Sequence, residues 1–407
     1  MTAAILTHNT LVVAAGVAAV GFAAGMVGGL GLLRKRPLVA DAAAHATLLG
    51  VAGGFLATGR RDLPTLLAGA LVTAVAALGT LVLLRRFTRT RDDAATAITI
   101  GVGFGAGIAL LSGITARGIP GAAGLGQFLL GHTAALASRD ALLLAAVSAV
   151  TVGVVWLGFK EAMLVAFDAE FAAATGWPVA AIDLAVVTLV AVMVVVGLPA
   201  AGAVLVTGLV VIPPVAARQW TDRGSTLLLL AGLFGLAAAG AGVIVGAAAP
   251  RIAAAVGLQT PTGLATGPLV VLAAAAIAAV SFVAAPDRGW IVRGLRAAEE
   301  RRRWTAGLIL DACLRAAGDG AGRSFSAAAV RAATGGGRRA VARGWESLVR
   351  EGIVAPESAA DTWRLTETGR AVAAERRARI RGWEAAFDAA PAAAREAFSL
   401  ELREPPR

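Results

Sequence analysis

Between residues 11 and 285 the apolar residues come in runs of about bilayer-crossing length, and the charged side chains fall in the short gaps between them. Allowing about 17 to 25 residues per crossing, the runs place spans at 11–33, 39–57, 64–84, 95–115, 141–158, 179–197, 200–217, 226–248 and 264–285. Lipid offers backbone N–H and C=O groups no partners, so runs rich in Ala, Val, Leu and Gly must close their hydrogen bonds internally as helices. The pattern therefore predicts an all-α polytopic membrane protein of about nine transmembrane helices. Only Gly197, Leu198 and Pro199 separate the sixth and seventh spans. The Gly- and Pro-containing stretch from Gly118 to Arg139 reads as a half-buried or re-entrant segment rather than a tenth helix.

The pattern changes near residue 287. Residues 1–285 carry 15 basic and 10 acidic side chains, whereas residues 286–407 carry 22 and 16. A membrane domain over 1–287 and a cytoplasmic, basic domain over 288–407 are expected. In the second, residues 296–316 have a helical pattern with Trp304, Leu308, Ile309 and Leu314 on one stripe, ended by Gly318, Gly320 and Gly322. A short helix follows Ser326. Gly335, Gly336 and Gly337 then turn into a helix over 338–350, with Val341, Trp345, Leu348 and Val349 inward and Arg338, Arg339 and Arg343 outward. Gly352-Ile353-Val354, a polar turn from Pro356 to Asp361, and Thr362 to Thr366 read as a two-stranded wing. The order is that of a winged helix-turn-helix, whose basic helix could meet DNA or a protein partner.

Composition agrees with a chain in two solvents. The hydrophobic fraction is 57% with a mean hydropathy of +0.76, above the roughly 45–50% of soluble domains. The 50 glycines suit close approach of helix backbones in lipid. Cys313 is the one cysteine, which excludes an internal disulfide and a multi-cysteine zinc site. The N-terminus lacks the basic region of a secretory signal, and 11–33 is too long for a signal core, so it reads as a retained helix. Much of the +11 net charge is Arg at helix ends and reports topology. If the first gap is cytoplasmic, the inner side receives Arg34, Lys35, Arg36, Arg85, Arg86, Arg89, Arg91, Lys160, Arg218 and Arg223. The outer side receives Arg60, Arg61, Arg117, Arg139 and Arg251. Ten against five predicts an external N-terminus and a cytoplasmic C-terminus.

Chemistry enters at few positions. No phosphate-cradling Gly-x-x-x-x-Gly-Lys-Ser/Thr loop occurs, and the lysines are Lys35 and Lys160 only. The chain is expected to be a transport subunit rather than an enzyme, with any ATP hydrolysed by another polypeptide. Asp41 and His45, four apart inside an apolar run, share a helix face and together suit a borderline divalent ion such as Zn, Mn or Fe. The competing structural reading is a carboxylate–imidazole pair tying two helices together. His132 and Asp140 fall toward the outer side as water-facing loop residues, and His8 in a frayed end. The acidic interruption from Phe167 to Gly176 offers its backbone to a partner or is a solvated loop.

Several stretches, in order, resemble the permease subunits of ABC importers for manganese, zinc and iron. Arg36 through Ala46 is similar to that family's Asp, small residues, His-Ala element. Arg91-Asp92-Asp93-Ala94-Ala95, with Gly101-Val102-Gly103-Phe104-Gly105 behind it, resembles the acidic, Gly-rich start of the fourth helix. Gly126 through His132 resembles a Phe-Leu-Phe-Gly-Asn turn with His132 in place of Asn. Phe167-Asp168-Ala169-Glu170-Phe171-Ala172 through Gly176 resembles the cytoplasmic Phe-Asp-x-Glu-x-Ala, Gly segment. Gly202 to Val206 with Ile212 to Arg218, and Thr260-Pro261-Thr262-Gly263, resemble its later helices.

The resemblance implies a bacterial plasma-membrane permease, paired with a second permease subunit and driven by a separate ABC ATPase. It would receive a divalent metal ion, its cargo rather than a bound cofactor, from an extracytoplasmic binding protein. Asp41 and His45 would then lie in the transport path, and Phe167, Asp168, Glu170 and Gly176 in the ATPase-coupling segment. The tail resembles the N-terminal domain of iron-dependent repressors, although it contains no His. Two other readings compete: a membrane-tethered, metal-linked transcriptional regulator, and a secondary carrier that needs no ATPase.

Overall fold

A computed structural model describes residues 8–34, 39–119, 136–255, 266–286, 288–317, 324–334, 338–357 and 362–389. The chain divides into two compact units, Met1–Val292 and Arg293–Arg407. The first holds helices α1 (His8–Leu33), α2 (Val39–Thr58), α3 (Leu63–Phe87), α4 (Asp92–Ala116), α5 (Ser138–Leu157), α6 (Phe159–Phe167), α7 (Ala169–Ala174), α8 (Val179–Ala201), α9 (Ala203–Ala217), α10 (Gly224–Ala255) and α11 (Thr266–Ala284). Among the described residues eight of these are long and apolar enough to cross a membrane: α1 to α5, α8, α10 and α11.

Small residues decide which helices touch. On α1, Gly21 lies against the Gly235 backbone of α10, and Gly25 against Ala231; a Cβ at either glycine would collide with a carbonyl of the partner helix. The backbones thus meet without side chains between them, the close packing that apolar lipid favours over a greasy seam. α2 is held centrally, packed on α3, α4, α8 and α9.

Nine crossings were expected and eight long helices are found; the difference lies at α8 and α9. α8 runs through Pro199 to Ala201, and the break falls at Gly202, whose φ of +82° is open to glycine but strained for other residues. α9 is therefore only 15 residues long. It still returns the chain to the face it left. α8 starts at that face, where Asp183 pairs with Arg34 at the end of α1. α10 starts there too, with Gly224 beside Met163 and Phe167 of α6. Asp222, between α9 and α10, pairs with Arg288 just past α11 at 2.5 Å. The ends of α1, α9 and α11 and the starts of α8 and α10 consequently share one face. Trp156, Trp177, Trp220 and Trp290, all exposed, belong to the same face.

The second unit follows from α12 (Trp290–Ala317) through β1 (Phe325–Ser326), α13 (Ala327–Thr334), α14 (Arg338–Arg350), β2 (Val354–Pro356) and β3 (Thr362–Leu365) to α15 (Glu367–Ala389). The strands form an antiparallel sheet in the order β1-β3-β2, with Val354 opposite Leu365 and Phe325 opposite Trp363. Its core joins Ile309, Leu310, Cys313, Val341, Trp345, Leu348 and Ile353. Trp345 meets the rings of Phe325 and Trp363 edge-on at 6.5 and 5.2 Å.

Three expected inward positions are corrected here. Trp304, Leu308 and Val349 are exposed. The buried arc of α12 runs through Ile309, Leu310 and Cys313, to one side of the Trp304–Leu308 line, and Val349 is about 100° around α14 from buried Leu348. The side chains of Leu314, Arg338 and Arg339, the Gly318, Gly320, Gly322 and Gly335–Gly337 breakers, and most of the 356–361 turn lie outside the described residues.

Candidate functional site

α2 is an Ala-rich helix that buries nearly its whole circumference in its first three turns. Asp41, His45, Leu49 and Gly53 form its one less-buried stripe, at successive steps of four. His45 Nε2 lies 3.4 Å from Asp41 Oδ1, with side chains 21% and 38% exposed. That separation exceeds the usual N–H···O range of about 2.7–3.2 Å, so the two are loosely held and free to take a cation between them. His45 Nδ1 is buried and has no hydrogen-bond partner among the described residues. The imidazole edge-stacks on Phe104 of α4, with ring centroids 5.2 Å apart.

The stripe sits deep although Asp41 is near the start of α2. Gly103, eleven residues into the 25-residue α4, rests against Ala46; at 1.5 Å per residue that is about 17 Å from the end of α4. On the other side Gly50 meets Gly69 and Gly54 meets Thr65, an antiparallel register that puts His45 level with the middle of α3. An imidazole and a carboxylate at this depth are costly in lipid and suit a polar route. Among the described residues no group of three or more His, Cys, Asp or Glu could hold a metal ion. Asp41 and His45 thus form a two-residue donor set.

The coupling candidates gather at the Arg34 face. Asp168 ends α6 and caps α7, its Oδ1 accepting from Phe171 N at 2.8 Å. Gly176 has φ +88° and closes α7: its N–H donates to Ala173 O at 3.1 Å and that of Trp177 to Ala172 O at 3.0 Å. Asp168 and Gly176 thus shape the segment, while Phe167, Glu170, Phe171 and Trp177 are exposed on it. The segment thus presents aromatic side chains beside an acidic one at the surface.

Sequence reasoning missed the residue pair that ties this segment down. Arg34 donates both to the Asp183 carboxylate and to the carbonyl oxygen of Val165, joining α1, α8 and α6. Asp183 also borders a small cleft of about 10 Å³ with Gly31, Val39, Val186 and Val190, beside the start of α2. The available signal was an acid inside an otherwise apolar helix. Thr96 and Thr99 were also missed: both are buried on α4, with hydroxyls donating to Asp92 O and Ala95 O.

Other candidates have plainer places. Asp140 caps α5 by accepting from Ala137 N at 3.2 Å. Arg343 is exposed on α14. His132 with the 126–132 turn, most of the stretch expected to be re-entrant, and Thr260–Gly263 lie outside the described residues, as does the side chain of His8.

The sequence profile of the ABC 3 transport family matches residues 7–285. The chain is 35% identical over 302 residues to the manganese transport system membrane protein MntC of Bacillus subtilis (strain 168), covering 74% of this chain and 67% of that one. It is 36% identical over 269 residues to the zinc transport system membrane protein TroC of Treponema pallidum (strain Nichols), covering 66% and 86%. Among solved structures it is similar to PsaBC from Streptococcus pneumoniae in complex with Fab, with a TM-score of 0.58 and 26% identity over 69% of this chain and 92% of the matched one.

Proposed function

This chain belongs to the ABC 3 transport family, and from that premise we propose that it is the permease subunit of an ABC importer for divalent transition metal ions. Relatives named for manganese and zinc transport support that cargo class, and the imidazole–carboxylate donor set suits Mn, Zn or Fe. The observation that carries the reading is the Asp41–His45 stripe, loosely paired and level with the middle of α3 and α4. A carboxylate facing lipid at that depth costs about 2.5–3.5 kcal/mol. The stripe therefore requires a polar cover, which a second permease subunit, of the same or a related chain, supplies along a shared path. The ion arrives from an extracytoplasmic binding protein and leaves on the Arg34 face.

That face is cytoplasmic in this proposal, because Arg34, Arg85, Arg218 and Arg223 gather there. The N-terminus is then outside and the C-terminal unit inside. A separate ABC ATPase docks on α6 and α7 through Phe167, Glu170, Phe171 and Trp177, with Asp168 and Gly176 holding the segment in shape.

The test is metal uptake in a strain stripped of its own importers and supplied with this chain, its ATPase and its receptor. Asp41→Ala and His45→Ala should each lower accumulation of radiolabelled Mn or Zn at least tenfold at unchanged membrane abundance. Wild-type-like uptake in both variants would refute the path.

For residues 293–407 we propose a winged helix-turn-helix, supported by the α13–α14 pair and the β2–β3 hairpin in the order β1-β3-β2. This arrangement also favours the second reading, a membrane-tethered regulator, in which α14 and Arg343 would meet DNA. A gel shift on DNA flanking its own gene, at stated salt, separates the readings; no retardation leaves docking to a protein partner as the role of the unit.

A further inference from the structure

The opening turns of α12 carry an apolar arc that is exposed among the described residues. Trp290, Ile291 and Leu295 are 67, 56 and 66% exposed. At 100° per residue they span about 140° of the helix. Arg293 and Arg296 stand on the opposite arc, and Arg301, three turns past Trp290, returns to the line of Trp290.

What lies beside this arc follows from the chain itself. α11, a span, ends at Ala284, and the N–H of Gly289 donates to Ala285 O at 2.9 Å, so the turn into α12 is tight. Arg288 is held to Asp222 at 2.5 Å, in the turn that also carries Trp220. Trp156, Trp220 and Trp290 lie at the same face, at the ends of three different spans or in their connecting turns. An indole belt of this kind marks the boundary between headgroups and acyl chains. Trp290 is therefore at the level where a bilayer surface is already present.

We infer that residues 290–298 form an interfacial helix, with Trp290, Ile291 and Leu295 set into the headgroup–acyl boundary of the membrane that α11 has just left. Arg293 and Arg296 face water, and Arg301 meets lipid phosphate where the apolar arc ends. An amphipathic helix lying in the interface needs this pairing of an aromatic and aliphatic face with flanking arginine. The inference does not depend on the transported ion.

The test places a nitroxide at Ile291→Cys, Leu295→Cys or Arg293→Cys of the full chain in phosphatidylglycerol-containing nanodiscs. The native Cys313 is fully buried and stays unlabelled. Collision with oxygen and with a water-soluble nickel chelate is then measured. Labels at 291 and 295 should meet the chelate at least fivefold less often than the label at 293, and this shielding should vanish in lipid-free amphipol. Equal chelate access at all three sites overturns the inference. Shielding that persists without lipid also overturns it, since a protein surface would then be the cover. Should the labelled variants misfold, quenching by lipids brominated on the acyl chain, taken as wild type minus Trp290→Phe, gives the same decision: Trp290 is quenched if it is interfacial, and unquenched if the inference is wrong.

Discussion

Removing the Asp183 carboxylate strands the Arg34 guanidinium at the junction of α1, α6 and α8, with the Val165 carbonyl left to it among the described residues. The side chains are 12% and 23% exposed, so the pair is shielded but keeps some water. Breaking a fully buried pair costs about 3–5 kcal/mol, and an exposed one roughly 0–1. For this partial shielding we expect about 2–3 kcal/mol for Asp183→Ala and a similar loss for Arg34→Ala. A unit of this size loses roughly 2–4 °C of melting temperature per kcal/mol, so each variant should melt about 5–10 °C lower in detergent, followed by Trp fluorescence. Because each single change leaves the other charge unpaired, the double variant should recover part of the loss, with a coupling of about 1–2 kcal/mol. Arg34→Lys should fall between, since an ammonium cannot reproduce the planar fork that reaches two acceptors at once. Strictly additive losses, or shifts under about 1 °C, would show that the three helices are held without this pair.

Other perturbations test different links. Gly25→Leu should abolish the monodisperse detergent-solubilised protein, because α1 and α10 touch backbone to backbone there, whereas Gly101→Ala, with open space at its Cβ, should be neutral or stabilising by about 0.5–1 kcal/mol; size-exclusion profiles distinguish the two. Asp62 caps α3, and the Thr65 hydroxyl donating to it at 2.8 Å, aided by the Thr65 N–H, holds its carboxyl below the ordinary value. Its contribution is thus complete above the ordinary carboxylate range and lost as pH falls through the lowered value. Asp62→Ala should flatten the acid limb of the melting-temperature profile and leave its alkaline limb unchanged. Burial pushes the Cys313 thiol up to about 12. Alkylation at pH 8 should therefore be at least a hundredfold slower in the folded chain than in guanidinium by mass spectrometry, and stability should fall as pH rises from about 9 toward that value.

How much of this was legible depended on whether the determining forces are local. The spans could be read because the bilayer imposes one length on every apolar run and drives charge into the gaps. Asp41 and His45 could be singled out because ionisable groups are costly within a span. That they occupy the only open stripe of α2 could not be read, since Ala42, Ala43, Ala44 and Ala46 look alike from every side until α3, α4, α8 and α9 close around them. The Arg34–Asp183 pair joins residues 149 positions apart, and no periodicity reports such a contact. Trp304 and Leu308 were misplaced because their i, i+4 spacing matches that of Ile309 and Cys313, five positions later along α12; spacing fixes a stripe but not which stripe is inward.

The break between α8 and α9 explains how α9 can be both short and stable. Backbone that leaves the helical path inside a membrane survives only where protein covers it. Here Gly202 is buried, and Leu198 and Val206 on either side of it are 1% and 0% exposed. The Gly202 N–H donates to Leu198 O at 2.8 Å, and its carbonyl accepts from Val206 N at 3.0 Å, so the turn closes its own hydrogen bonds. Pro213 and Pro214 then remove two donors from α9. α9 packs on α1, α2, α8, α10 and α11, and that enclosure is what tolerates three prolines and an interrupted helix in a span. The same enclosure sets α9 against α2, so the helix carrying Asp41 and His45 is backed by the part of the bundle whose hydrogen-bond ladder is least continuous. On the α3 side, by contrast, Gly50 and Gly69 hold the backbones in contact.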